Sequence, residues 1–202
     1  MIKLSQEELR EKEIKLQKNL NEYRDKITDI LGAKLAREFC NALIAHEFTK
    51  RVLAGCEAQV KKLENEIEKT VAKQYPKETD YNAIGVVEQF KTSLRKHIEE
   101  KNHTQKGFAM SRVKLCEKSL QEHLGVDLTK KIVSLAIVCE ANENQVEKLK
   151  QCRDREIETL KSYTSNAAAK IMGTRYTKAY YDLDDVRKAQ MQIKEKETGK
   201  GM

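Results

Sequence analysis

Proline occurs once in these 202 residues, glycine eight times, phenylalanine four times and tryptophan not at all. A thick, compact core needs more large apolar residues than a hydrophobic content of 39%, laid out in narrow stripes, provides. Strand-type alternation is missing as well, and so is any internal repeat. What remains is dominated by Lys, Glu, Gln, Ala and Leu, the usage of long helices and coiled coils. No apolar run approaches the ~18 residues of a membrane-spanning helix. The longest patch is "IVSLAIVC" at 132–139, and the opening "MIKLSQEELREKEIKL" has no continuous apolar segment of the secretory kind.

Catalytic and metal-binding signatures are missing too. There is no P-loop, GxGxxG, GxSxG or HExxH. The five cysteines (40, 56, 116, 139 and 152) form no CxxC and show no zinc-ligand spacing. Several lie on apolar stripes, which points to reduced thiols in a cytoplasmic protein. Glu100-x-x-His103 has the spacing of a di-iron bundle half-site, but such sites need the motif twice and it occurs once. His46 lies on the seam of the first helix, where a packed histidine is expected. The sequence therefore predicts no enzyme, no cofactor and no metal site.

The helical patterning is strong. Ser5-x-x-Glu8 reads as a capping box. Leu16, Leu20, Tyr23, Ile27 and Ile30 then step by four and three. Leu35, Phe39, Ala42, His46, Leu53, Cys56, Val60, Leu63 and Ile67 continue in a heptad frame, with Thr49 in one core slot. The two frames are out of register across residues 31–34, a shift that coiled coils absorb by local unwinding. This predicts one helix over 5–74, ended by Tyr75-Pro76. Leu31, Leu35, Phe39, Ala42, Leu43, Ala45 and Phe48 form a stripe wide enough for several neighbouring helices.

A second helix is expected over 79–124, with a possible break near 102–107. Its face is Ile84, Val87, Phe90, Leu94 and Ile98, followed by Phe108 or Ala109, Val113, Cys116, Leu120 and Leu124. Gly125 reads as a C-cap and Asp127 as the next N-cap. The third helix, 127–172, runs through Ile132, Leu135, Cys139, Asn142, Val146 and Leu149, then resumes after a stutter at Ile157 and Leu160. Asn142 on that seam is a register-fixing residue. A short helix over 175–196 and a frayed tail at 197–202 complete the chain. The expected fold is all-α: one domain over 1–202, an elongated antiparallel helical bundle or coiled coil of three to four helices, two of them very long.

The excess of seven positive charges is spread as +2, +2 and +3 over residues 1–75, 76–125 and 126–202. Nucleic-acid binders concentrate charge or interleave aromatics with a continuous basic groove, so nucleic acid is not the expected partner. Two windows do lack acids. Residues 101–116, "KNHTQKGFAMSRVKLC", carry four bases, and residues 159–181 carry four bases and four of the seven tyrosines. Within the latter, Arg175, Tyr176, Lys178, Tyr180 and Tyr181 are the candidate partner-binding residues, since tyrosine and arginine are favoured at interfaces. "SNAAAKIMG" just before them suits close helix packing. The function expected is a non-enzymatic scaffold, stalk or assembly subunit acting through protein partners, as a homodimer or within a larger assembly. The alternative is a membrane-surface module: long antiparallel helices dimerising with a basic face are similar in outline to the BAR architecture.

Overall fold

Helix starts and stops follow short-range chemistry. The computed structural model describes residues 5–72 and 80–198. Within them α1 (Gln6–Leu31) opens on the expected capping box. Ser5 Oγ accepts from the Glu8 amide at 3.2 Å, and the Glu8 carboxylate accepts from the Ser5 amide at 2.6 Å. Two donors that a helix start leaves open are thereby satisfied. After α1 come α2 (Ala33–Ala72), α3 (Asp80–Glu99), α4 (His103–Leu124), α5 (Val126–Tyr163) and α6 (Ala167–Thr198). The described residues are all-α, with no strand. No helix among them is long and apolar enough to cross a membrane.

Among the described residues six helices stand where three to four were expected, and the reasons are local. The first expected helix, 5–74, is interrupted at Gly32, whose φ of 78° is left-handed backbone and whose amide donates to the Thr28 carbonyl at 2.8 Å. The register shift at 31–34 is thus a helix end. It also resets the face of α2: Ala36, Phe39 and Cys40 are buried, while Leu35 and Phe48 are exposed. The second expected helix divides at residues 100–102, at the edge of the break allowed near 102–107, because the Asn102 side chain accepts from the amides of Thr104 and Gln105 and starts α4 there. The third, expected to reach 172, ends at Tyr163. Asn166 caps α6 by accepting from Ala168 and Ala169, so α6 begins well before the expected 175. Gly125 ends α4 at φ 79° as expected, and Asp127 falls inside the first turn of α5. The Tyr75-Pro76 break and the tail beyond Thr198 lie outside the described residues.

The helices form two compact units, whose boundary falls between Lys50 and Arg51 in α2 and between Gln151 and Cys152 in α5. In the first unit α1 and α6 run antiparallel, Arg187 donating to Glu13 at 2.9 Å and Gln190 to the same carboxylate at 3.1 Å. Its core joins Ile27, Ala36, Phe39, Leu160, Ala169 and Tyr176. Gly173 is an interior residue of α6, not a helix break. A Cβ there would lie 2.8 Å from Phe39 Cζ and 2.9 Å from Leu43 Cδ1. This glycine is a packing residue.

In the second unit the end of α2, α3, α4 and the start of α5 enclose Ile67, Val87, Phe90, Leu120, Ile132 and Cys139. Each fully buried large side chain of this kind contributes about 1.5–3 kcal/mol. The α3–α4 hairpin is fastened at its tip, where His97 Nδ1–H donates to the Lys106 carbonyl at 3.0 Å. Along α3 the buried stripe is Ala83, Val87 and Phe90, and Ile98, expected on that face, is exposed.

Glycine substitutions separate these roles. Alanine is preferred to glycine in a helix by about 1 kcal/mol, but overpacking a filled interior costs about 1–3 kcal/mol. Gly173→Ala is therefore expected to lower the urea midpoint. Gly55→Ala, whose Cβ would meet nothing within 4 Å, is expected to add about 0.4–1 kcal/mol. A stabilising Gly173→Ala would contradict the packing described.

Candidate functional site

The stripe that buries Phe90 also rolls its neighbour Lys91 inward. Lys91 is only 4% exposed and Glu140, across from it on α5, only 2%. Lys91 Nζ lies 2.5 Å from Glu143 Oε1 and 3.4 Å from Glu88 Oε1. One turn along α3, Arg95 grips Glu140 in a bidentate pair, Nε donating to Oε1 at 2.5 Å and a terminal nitrogen to Oε2 at 3.0 Å. The same terminal nitrogen donates to Glu143 at 2.6 Å. Burial alone would lower the pKa of Lys91, but the Glu143 hydrogen bond and the charge of Glu88 outweigh it and hold the ammonium above its ordinary value. Two cations are thus matched by the two α5 carboxylates, with each charge hydrogen-bonded.

Glu64, Cys139 and Glu143 bring three possible metal ligands within 4.8 Å of one another. Their chemistry does not suit a cation. Glu143 already holds Lys91 and Arg95, and burial drives the Cys139 thiol up to about 11, so it is protonated near neutrality. Cys139 Sγ instead donates to Glu143 at 3.5 Å. An open groove of about 580 Å³ beside the cluster has Arg95, Glu143 and Glu64 on its wall. The arrangement is an ionic clamp between α3 and α5.

A smaller polar group lies in the first unit. Thr49, in its expected core slot, donates to Glu156 at 2.9 Å, and His46 Nδ1 stands 3.6 Å from the other oxygen of the same carboxylate. That separation exceeds a hydrogen bond. His46 is half-buried on the seam, as expected. Asn142, expected to fix register, donates to the Val138 carbonyl of its own helix at 2.7 Å.

The five candidate partner-binding residues, all on α6, divide by direction. Tyr176 and Tyr181 are buried. Tyr176 is hydrogen-bonded with Cys40, and burial lifts its phenol to about 12. Tyr181 donates to the Ile44 carbonyl at 2.9 Å, and Tyr180 packs edge-on against its ring at 5.3 Å. Arg175 and Lys178 are exposed. The tyrosines secure the bundle, and the two charges face outward.

The outer side of the α3–α4 hairpin is different in kind. Ala109, Val113 and Cys116 turn α4's buried face inward, so Phe108 and Leu115 project outward at 70% and 65% exposure. They line a groove made of two adjoining depressions of about 600 and 550 Å³, which share Lys96, Arg112 and Leu115. The sequence left Phe108 and Ala109 as alternatives for the core; the structure buries the alanine. The acid-free window 101–116 was legible, but the outward phenylalanine within it was not.

Removing one partner of a buried pair costs about 3–5 kcal/mol, whereas replacing a pair by apolar residues of similar volume is often neutral. Glu143→Ala is accordingly expected to destabilise the chain by roughly 3 kcal/mol. The double change Lys91→Met with Glu143→Leu should restore most of that loss in urea unfolding. A single variant as stable as the parent would show the clamp to be idle. Because the Lys91 pKa is raised on folding, its contribution is complete below the ordinary value of 10.5 and is lost only as pH rises above it.

Compared with known proteins, the chain matches no family model, no curated protein and no solved structure.

Proposed function

We propose that this chain is a non-enzymatic helical scaffold or assembly subunit that works by docking other proteins. The observation that carries the reading is the outward pair Phe108 and Leu115. Large apolar side chains exposed together beside a groove are a recurring mark of an interaction surface. They lie on a hairpin whose inner face is filled by Val113, Cys116, Leu120 and Leu124, so the core has no need of them. The ionic clamp supports the same reading, since its carboxylates are engaged in structure. All five cysteines are free thiols, which suits a reducing compartment such as the cytoplasm. Arg175 and Lys178, exposed on α6, form a second candidate contact of purely ionic character.

Cross-linking of the full chain in native extract tests the proposal. A defined set of partners should be recovered with the parent chain. That set should be lost with Phe108→Ser combined with Leu115→Ser, while Arg175→Glu combined with Lys178→Glu has the smaller effect. Recovery that neither double variant changes would contradict docking through these surfaces.

A further inference from the structure

Resting on that docking reading, we infer that the α3–α4 groove receives about three turns of an acidic amphipathic helix from another protein. The geometry supplies the length. The groove is lined from Glu88 at one end to Glu100 at the other, a span of about 18 Å at the helical rise of 1.5 Å per residue. Phe108 and Leu115 are seven residues apart on one face of α4, about 10.5 Å along its axis. That is the spacing at which a helix laid alongside presents its own anchors, and an apolar helix face seated in a groove is a recurring mode of recognition.

Charge chooses the partner. Lys96 and Arg112 sit where the two depressions meet, and neither is held in an ion pair with a described residue. The neighbouring window adds Lys101, Lys106 and Lys114 without a single acid. The two acids at the groove's ends are engaged within the chain: Glu88 pairs with Lys91 at 3.4 Å, and Glu100 accepts from the Asn102 amide at 2.9 Å. A helix whose carboxylates flank the middle of its apolar stripe meets the central cations and places none of its acids beside Glu88 or Glu100. A lipid surface is a poorer match, because Glu88 and Glu100 frame the basic centre and a plane cannot avoid them.

The probe is a synthetic helix-forming peptide with leucines at i, i+3, i+4 and i+7 and glutamates on the flanks, compared with its lysine counterpart. Binding to the full chain is read by fluorescence anisotropy. The glutamate peptide should bind in preference to the lysine peptide, and the preference should weaken with added salt. Phe108→Ser with Leu115→Ser should weaken it by about tenfold or more. Lys96→Glu with Arg112→Glu should reverse the preference, and as a pure surface change it carries the test should the first pair fail to fold. Equal binding of both peptides to the parent chain would overturn the inference. Two other results would also overturn it. One is binding to phosphatidylserine vesicles that needs Lys96 and Arg112 but not Phe108. The other is a dimer, seen by sedimentation, that the Phe108 and Leu115 changes dissolve. If partners cross-linked in extract depend on Phe108 and Leu115 but are not displaced by the glutamate peptide, the acidic helix is wrong and the docking reading stands. If they depend on neither, the docking reading itself fails.

Discussion

Between α3 and α5 of the second unit, a lysine ammonium with almost no access to water lies against Glu143, while Arg95 beside it clasps Glu140 and Glu143 together. An unpaired charge in that position would be intolerable, so the two helices have one rotation and one register in which the pairs close. Apolar stripes tolerate small rotations, whereas a bidentate guanidinium–carboxylate pair does not. The clamp therefore fixes which side of α3 faces out. Through the His97–Lys106 fastening it also sets how α4 lies beside α3. The outward groove with Lys96 and Arg112 at its centre is a consequence of that arrangement.

The first unit is held by other means. There the controlling feature is size: Gly173 lets α6 approach Phe39 and Leu43 more closely than any side chain would allow. Two tyrosines then lock the approach, Tyr176 on Cys40 and Tyr181 on the Ile44 carbonyl. Of the five candidate partner-binding residues, Tyr176 and Tyr181 are thus interior, while Arg175 and Lys178 point outward.

The parts of the fold that were legible in the sequence are those with a local signature. The Ser5–Glu8 box, the Gly125 stop and the α4 stripe through Val113, Cys116, Leu120 and Leu124 each depend on residues within a turn or two of one another. The misread breaks show the limit of that signal. Gly32 left a visible register shift, yet only its positive φ distinguishes a helix end from an unwound coil. Asn166 caps a helix that composition alone continues through, and Gly173 reads as a breaker until Phe39 is placed against it, whereas the Asn102 cap lies at the edge of the break allowed near 102–107. The ionic clamp was illegible for a different reason. Its partners lie 45 to 52 residues apart in the chain, and nothing in either helix alone marks Lys91 or Glu140 as buried. Phe108 and Ala109 differ by one residue, or about 100° of rotation, and only the packed hairpin decides between them.

The docking reading depends on one physical condition, that Phe108 is open to water in the isolated chain while Phe90 of the facing helix is sealed in the core. Hydroxyl-radical footprinting compares the two rings directly, because their intrinsic reactivity is the same. At 70% and 2% exposure, Phe108 should be oxidised readily and Phe90 protected until the chain unfolds. Protection of both rings in the native state would mean that the outer face of α4 is already covered, and would contradict the account.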